Sequence, residues 1–146
     1  MKRKVLYALT AIVLLIIWVH SMLPPDLSGE ESGWVADSFI NPIWNAIFHT
    51  DLNMTVVRKL AHITEFAVLA VLLTCDFRGS AVKTFGTGFA AAFLDETIQI
   101  FSGRGPMISD VWIDLLGAAI GFVLCRCIAG KRFQKEMTRL DAERTT

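Results

Sequence analysis

Four stretches of this chain are apolar for long enough to matter before anything else is considered: residues 5–23, 55–74, 81–101 and 108–128. A helix needs about 20 residues to cross a hydrocarbon core of about 30 Å. Each run meets or approaches that length, and no soluble domain of this size places its apolar residues this way. The pattern predicts an all-α integral membrane protein, a four-helix bundle in a single domain.

The links between runs carry their own signals. Pro24-Pro25 stops the first run, which lacks a small-x-small cleavage site and therefore reads as a retained helix rather than a signal peptide. Residues 24–55 hold Asp26, Glu30, Glu31, Asp37 and Asp51 but no Lys or Arg. Within them Trp34, Phe39, Ile40, Ile43, Trp44, Ile47 and Phe48 recur at helical spacing, which predicts an interfacial helix on the outer leaflet, interrupted at Pro42. Asp76 to Ser80 and Ser102 to Pro106 form the two short turns, the second rich in breakers. Residues 129–146 read as a charged cytoplasmic tail.

Basic residues set the orientation, because cytoplasmic loops carry the excess of Lys and Arg. With both termini inside, eleven of the 14 basic residues fall on the cytoplasmic side, and only Arg58, Lys59 and Arg104 fall outside. The chain has no net charge and no basic concentration suited to nucleic acid. Cys75, Cys125 and Cys127 then lie toward the cytoplasm, where thiols stay reduced, and read as small apolar helix residues.

Ionisable groups in a bilayer cost about 2.5 to 3.5 kcal/mol each on insertion scales, so their arrangement is informative. The second run carries Arg58, Lys59, His62 and Glu65, with Arg58, His62 and Glu65 on one helix face. The third carries Asp95, Glu96 and Gln99, and Asp95 and Gln99 share a face that continues through Ala92 and Gly88. The fourth carries Asp110 and Asp114 on a stripe continuing through Gly117 and Gly121. Small residues permit close helix approach, so these acids are expected to face the interior. At 1.5 Å rise per residue, Glu65, Glu96 and Asp114 sit roughly 8 to 15 Å below the outer ends of their helices, on one level.

Five acids therefore meet three fixed cations and His62. A low-dielectric site holds that excess only if some carboxylates are protonated, His62 is charged, or a divalent cation such as Mg2+ binds, with Glu96, Asp110 and Asp114 as its ligands. Arg58, Lys59, Gln99 and Arg104 form a rim suited to holding a phosphate-bearing substrate. His62, Glu65, Asp95, Glu96 and Asp110 are the candidates for acid–base work. Ion pairs that merely clamp helices together, such as Arg58 with Asp95 or Arg104 with Asp110, are the structural alternative.

These blocks resemble the VanZ-like family, named for a protein associated with teicoplanin resistance. Arg58-Lys59-x-x-His62-x-x-Glu65-Phe66 is similar to its first motif, Asp95-Glu96-x-x-Gln99-x-Phe101 to its second, and Arg104 followed by Asp110, Asp114 and Gly117 to its third. The likeness covers Arg58 to Gly121, about half the chain. It implies a bacterial cytoplasmic-membrane protein linked to glycopeptide antibiotics and the cell envelope, whose partners would be membrane lipids and a lipid-linked envelope precursor or glycopeptide target. Three functions remain open. One is a site that binds or processes an anionic lipid-linked molecule, by hydrolysis or transfer at phosphate if it is an enzyme. Another is a non-catalytic accessory of envelope enzymes. The least supported is an ion-coupled transporter, since below Glu65 the helix runs Leu69, Val71, Leu72, Leu73 with no acid.

Overall fold

The computed structural model describes residues 3–50, 52–103, 105 and 107–144. Those residues form helices and turns with no strand among them: α1 (Arg3–Met22), α2 (Pro25–Val35), a π-helical turn (Ala36–Ile40), α3 (Asn41–Phe48), α4 (Met54–Asp76), α5 (Ala81–Phe101) and α6 (Ile108–Arg144). The four apolar runs correspond to α1, α4, α5 and α6. The last continues well past its apolar part, so the charged tail is helical as far as Arg144.

Local chemistry explains the boundaries. Pro24 takes an extended backbone ahead of α2, and Pro25 occupies the first helical turn, where a missing N–H does no harm. The Asn53 side chain accepts a hydrogen bond from the Thr55 N–H at 2.8 Å and caps α4. At the other end of α4, Arg78 and Gly79 both adopt positive φ, and the Gly79 N–H returns to the Thr74 carbonyl at 2.7 Å, which turns the chain sharply into α5. Pro42 falls in the first turn of α3, directly after the π-helical turn, so the helical structure runs through it without the interruption expected there.

α4 is the central element: its largest contact is with α6, and it also touches α1 and α5. The α4–α6 contact depends on two glycines. A Cβ on Gly117 would fall 2.9 Å from Ile63 Cα, and one on Gly121 would fall 2.9 Å from Ala67 Cα. The small-residue stripe is thus an intramolecular seam, where helix backbones meet without side chains between them. Phe66, Leu69, Leu73, Ile17, Ala91 and Ala92 form the core beside it. A smaller cluster of Ala36, Leu52 and Val57, with Ile40 and Trp44, seats the π-helical turn and α3 against the start of α4. There Asn41 accepts from the Leu52 N–H and donates to Asp37, both at 3.0 Å.

The outward surface is apolar. Ile12, Leu15 and Val19 on α1, Phe89, Phe93 and Ile100 on α5, and Trp112, Leu116 and Val123 on α6 are all exposed. An apolar surface of this extent belongs against lipid or another protein. Two segments, Lys4–Met22 and Ile108–Gly130, are both long and apolar enough to cross a membrane. α4 and α5 have 23 and 21 residues, and it is their interior-facing polar groups that lower their hydropathy.

Candidate functional site

The polar faces meet where the C-terminal ends of α1 and α5 lie beside the N-terminal halves of α4 and α6. At the centre, His62 Nδ1 lies 3.3 Å from Asp114 Oδ1 and 3.9 Å from Asp95 Oδ2. Both aspartates are fully buried, at 0% exposure. α4, α5 and α6 thus contribute one residue each, and one ligand atom from each of the three lies within 4.8 Å of the others.

Asp95 is held from two directions. Ser21 on α1 donates to Oδ1, and Gln99, one turn further along α5, donates to Oδ2 at 3.0 Å. The same Gln99 amide donates to Glu96 Oε1 at 3.1 Å, while the Met107 N–H donates to Glu96 Oε2 at 2.9 Å. Glu96 therefore fastens the start of α6 to the end of α5. Asp110 lies 3.9 Å from the Lys59 ammonium and accepts from Ser109 at 3.1 Å. Glu65 turns toward α1, where His20 Nδ1 is 2.7 Å away.

The expected site residues that are described are thus at this end of the molecule but divide among different neighbours. His62, Asp95 and Asp114 converge. Glu96 and Asp110, expected with Asp114 as metal ligands, lie outside the three-residue group; one is tied up by an amide and a backbone N–H, the other faces an ammonium. Arg104 lies outside the described residues. His20 and Ser21 were not anticipated. Their signal in the sequence is weak: two polar residues at the end of an apolar run, with no periodicity of their own.

Two cavities flank His62. One, of about 230 Å³, is lined by Thr55, Arg58, Lys59, His62, Gln99 and Asp110, together with the glycines of the α5–α6 turn, Met107 and Ile113. The other, of about 250 Å³, is lined by His20, Ser21, Arg58, His62 and Glu65 and has an apolar side formed by Trp34, Val35, Val57 and Ala61. Arg58 and His62 belong to both. Among the described residues Arg58 makes no ion pair, although Asp110 lines one of its cavities and Glu65 the other.

An all-helical protein with a polar, acid- and base-lined cavity at one end of an apolar exterior is the class these features define. Within that class, the family model described as VanZ/LLP1 matches residues 5–129, and the chain belongs to that family. It is also similar to the uncharacterized membrane protein YwnJ of Bacillus subtilis (strain 168), at 37% identity over 81 residues. That match spans 56% of this chain and 56% of the relative, so the chain covers little more than half of the relative's length. No solved structure matches the chain.

Proposed function

We propose that this membrane protein binds the phosphate-bearing headgroup of a lipid-linked cell-envelope molecule in the paired cavities, at the outer face of the cytoplasmic membrane. On this reading α1, α4, α5 and α6 all cross the bilayer, both termini are cytoplasmic, and the segment from α2 to α3 rests on the outer leaflet. The distribution of Lys and Arg along the chain supports that orientation.

The observation that carries the proposal is Arg58. A guanidinium shared by two cavities, with Lys59 next to it and no acid partner among the described residues, favours an anionic ligand, and phosphate geometry suits it. The apolar wall of the second cavity adds a surface for hydrocarbon. An amphipathic ligand would then place its phosphate toward Arg58 and Lys59, and the start of its chain against Trp34, Val35 and Val57. A role in glycopeptide resistance of the teicoplanin type, suggested by the family's name, would follow from sequestering or altering such a precursor.

The test is binding of a long-chain isoprenyl phosphate and of the corresponding isoprenol to the purified protein in nanodiscs, followed by native mass spectrometry. The phosphate form should bind at least about tenfold more tightly, equivalent to about 1.4 kcal/mol. The Arg58→Ala/Lys59→Ala double variant should lose that preference. Equal binding of the two lipids, or an undiminished preference in the double variant, would contradict the proposal.

A further inference from the structure

We infer that His62, Asp95 and Asp114 form a binding site for a divalent first-row transition-metal ion. The starting point is Asp114. Its carboxylate is fully buried, and neither oxygen has a hydrogen-bond donor among the described residues. An ionised group in that position is costly unless a positive charge answers it. His62 Nδ1, only 3.3 Å away, is not aligned to donate to it, and is itself buried without a hydrogen-bond partner among the described residues. With His62 neutral and its proton on the other ring nitrogen, Nδ1 and the Asp114 carboxylate are two electron-pair donors facing each other across a short gap.

The third donor is positioned for the same point. Asp95 Oδ2 is 3.9 Å from His62 Nδ1, and its carboxylate is oriented by Ser21 and Gln99. Outer hydrogen bonds of this kind fix ligating carboxylates in metal sites. With metal–ligand bonds of about 2.0 to 2.2 Å, ligand atoms on one ion lie roughly 3 to 4.4 Å apart. The three atoms here lie within 4.8 Å of one another, so a small inward movement closes the set.

The donor types narrow the choice of ion. Two carboxylates and one imidazole suit Zn2+ or Mn2+ better than Ca2+ or Mg2+, which prefer all-oxygen shells. Because His62 lines both cavities, an ion has a route from solvent, and its remaining positions would face the cavity rather than protein. Lys59 and Arg58 oppose a cation there, whereas Glu65 and Asp110 favour it. The site does not depend on the lipid proposal, since it is argued from buried donors alone.

The experiment uses full-length protein without a histidine tag, purified in detergent and stripped with a chelator. Zn2+ or Mn2+ is added, and the bound metal is counted by elemental analysis after gel filtration, with affinity from calorimetry in the absence of any lipid phosphate. The inference predicts about one ion per chain at micromolar affinity or better, and a higher melting temperature in its presence. Asp114→Asn should weaken binding by roughly 100-fold, and His62→Ala similarly, while Lys83→Ala, at an exposed position in the first turn of α5, should retain it. Wild-type protein binding neither ion below about 1 mM would overturn the inference. Stoichiometric binding that survives in both Asp114→Asn and His62→Ala would overturn it too, by locating the ion elsewhere. Because the wild-type result is decisive without the variants, a variant that fails to fold does not protect the inference.

Discussion

His20 at the end of α1 sets its Nδ1 2.7 Å from Oε1 of Glu65 on α4, joining two residues 45 positions apart. The pair lines the second cavity and, with Ser21, joins α1 to the polar groups of α4, α5 and α6. His20 is nearly half exposed, so the pair contributes little to stability, in the range of about 0.2 to 1 kcal/mol. A double-mutant cycle with His20→Ala and Glu65→Gln, read by thermal unfolding in detergent, should return a coupling in that range. A coupling well above it would mean the pair is shielded from solvent.

Ser21 should matter more than its neighbour. Its hydroxyl donates to a fully buried carboxylate, so Ser21→Ala leaves Asp95 one donor short in a place water reaches poorly. Removing one partner from such a group costs about 1 to 3 kcal/mol. Chemical or thermal denaturation of Ser21→Ala should show a loss of that size, larger than the loss for His20→Ala.

The α4–α6 seam makes a sharper prediction. Any side chain at Gly121 meets the backbone of Ala67, which cannot rotate away. Gly121→Val should destabilise the protein by about 1 to 3 kcal/mol or prevent its accumulation, through forced separation of the two helices. Gly86→Ala is the control. A Cβ there meets nothing within 4 Å, and replacing a mid-helix glycine by alanine gains roughly 0.5 to 1 kcal/mol. Melting temperatures that fall equally for both variants would exclude the seam as the cause.

Much of this arrangement was legible in the residues. Helical spacing alone put Arg58, His62 and Glu65 on one face of the second run and aligned Asp114 with Gly117 and Gly121. The structure brings those residues to one end of the molecule and seats the glycines on α4. What spacing does not carry is the rotation of each helix against the others. Asp95 and Glu96 are consecutive, about 100° apart around the axis, so only one of them can face His62. The structure selects Asp95, and Glu96 turns to the start of α6. The contribution of α1 was hidden for a related reason. Ser21 and His20 adjoin an apolar run with no polar periodicity of their own, and only long-range packing places them opposite Asp95 and Glu65.

The central claim is that this cavity opens away from the cytosol, and cysteine accessibility in intact cells tests it most directly. Thr55 lines the first cavity and is exposed, whereas Cys127 is an exposed native thiol far along α6. A membrane-impermeant maleimide applied outside should label Thr55→Cys before lysis and leave Cys127 unlabelled until the membrane is opened. Labelling of Cys127 from outside, with Thr55→Cys protected until lysis, would place the cavity on the cytoplasmic face and contradict the account.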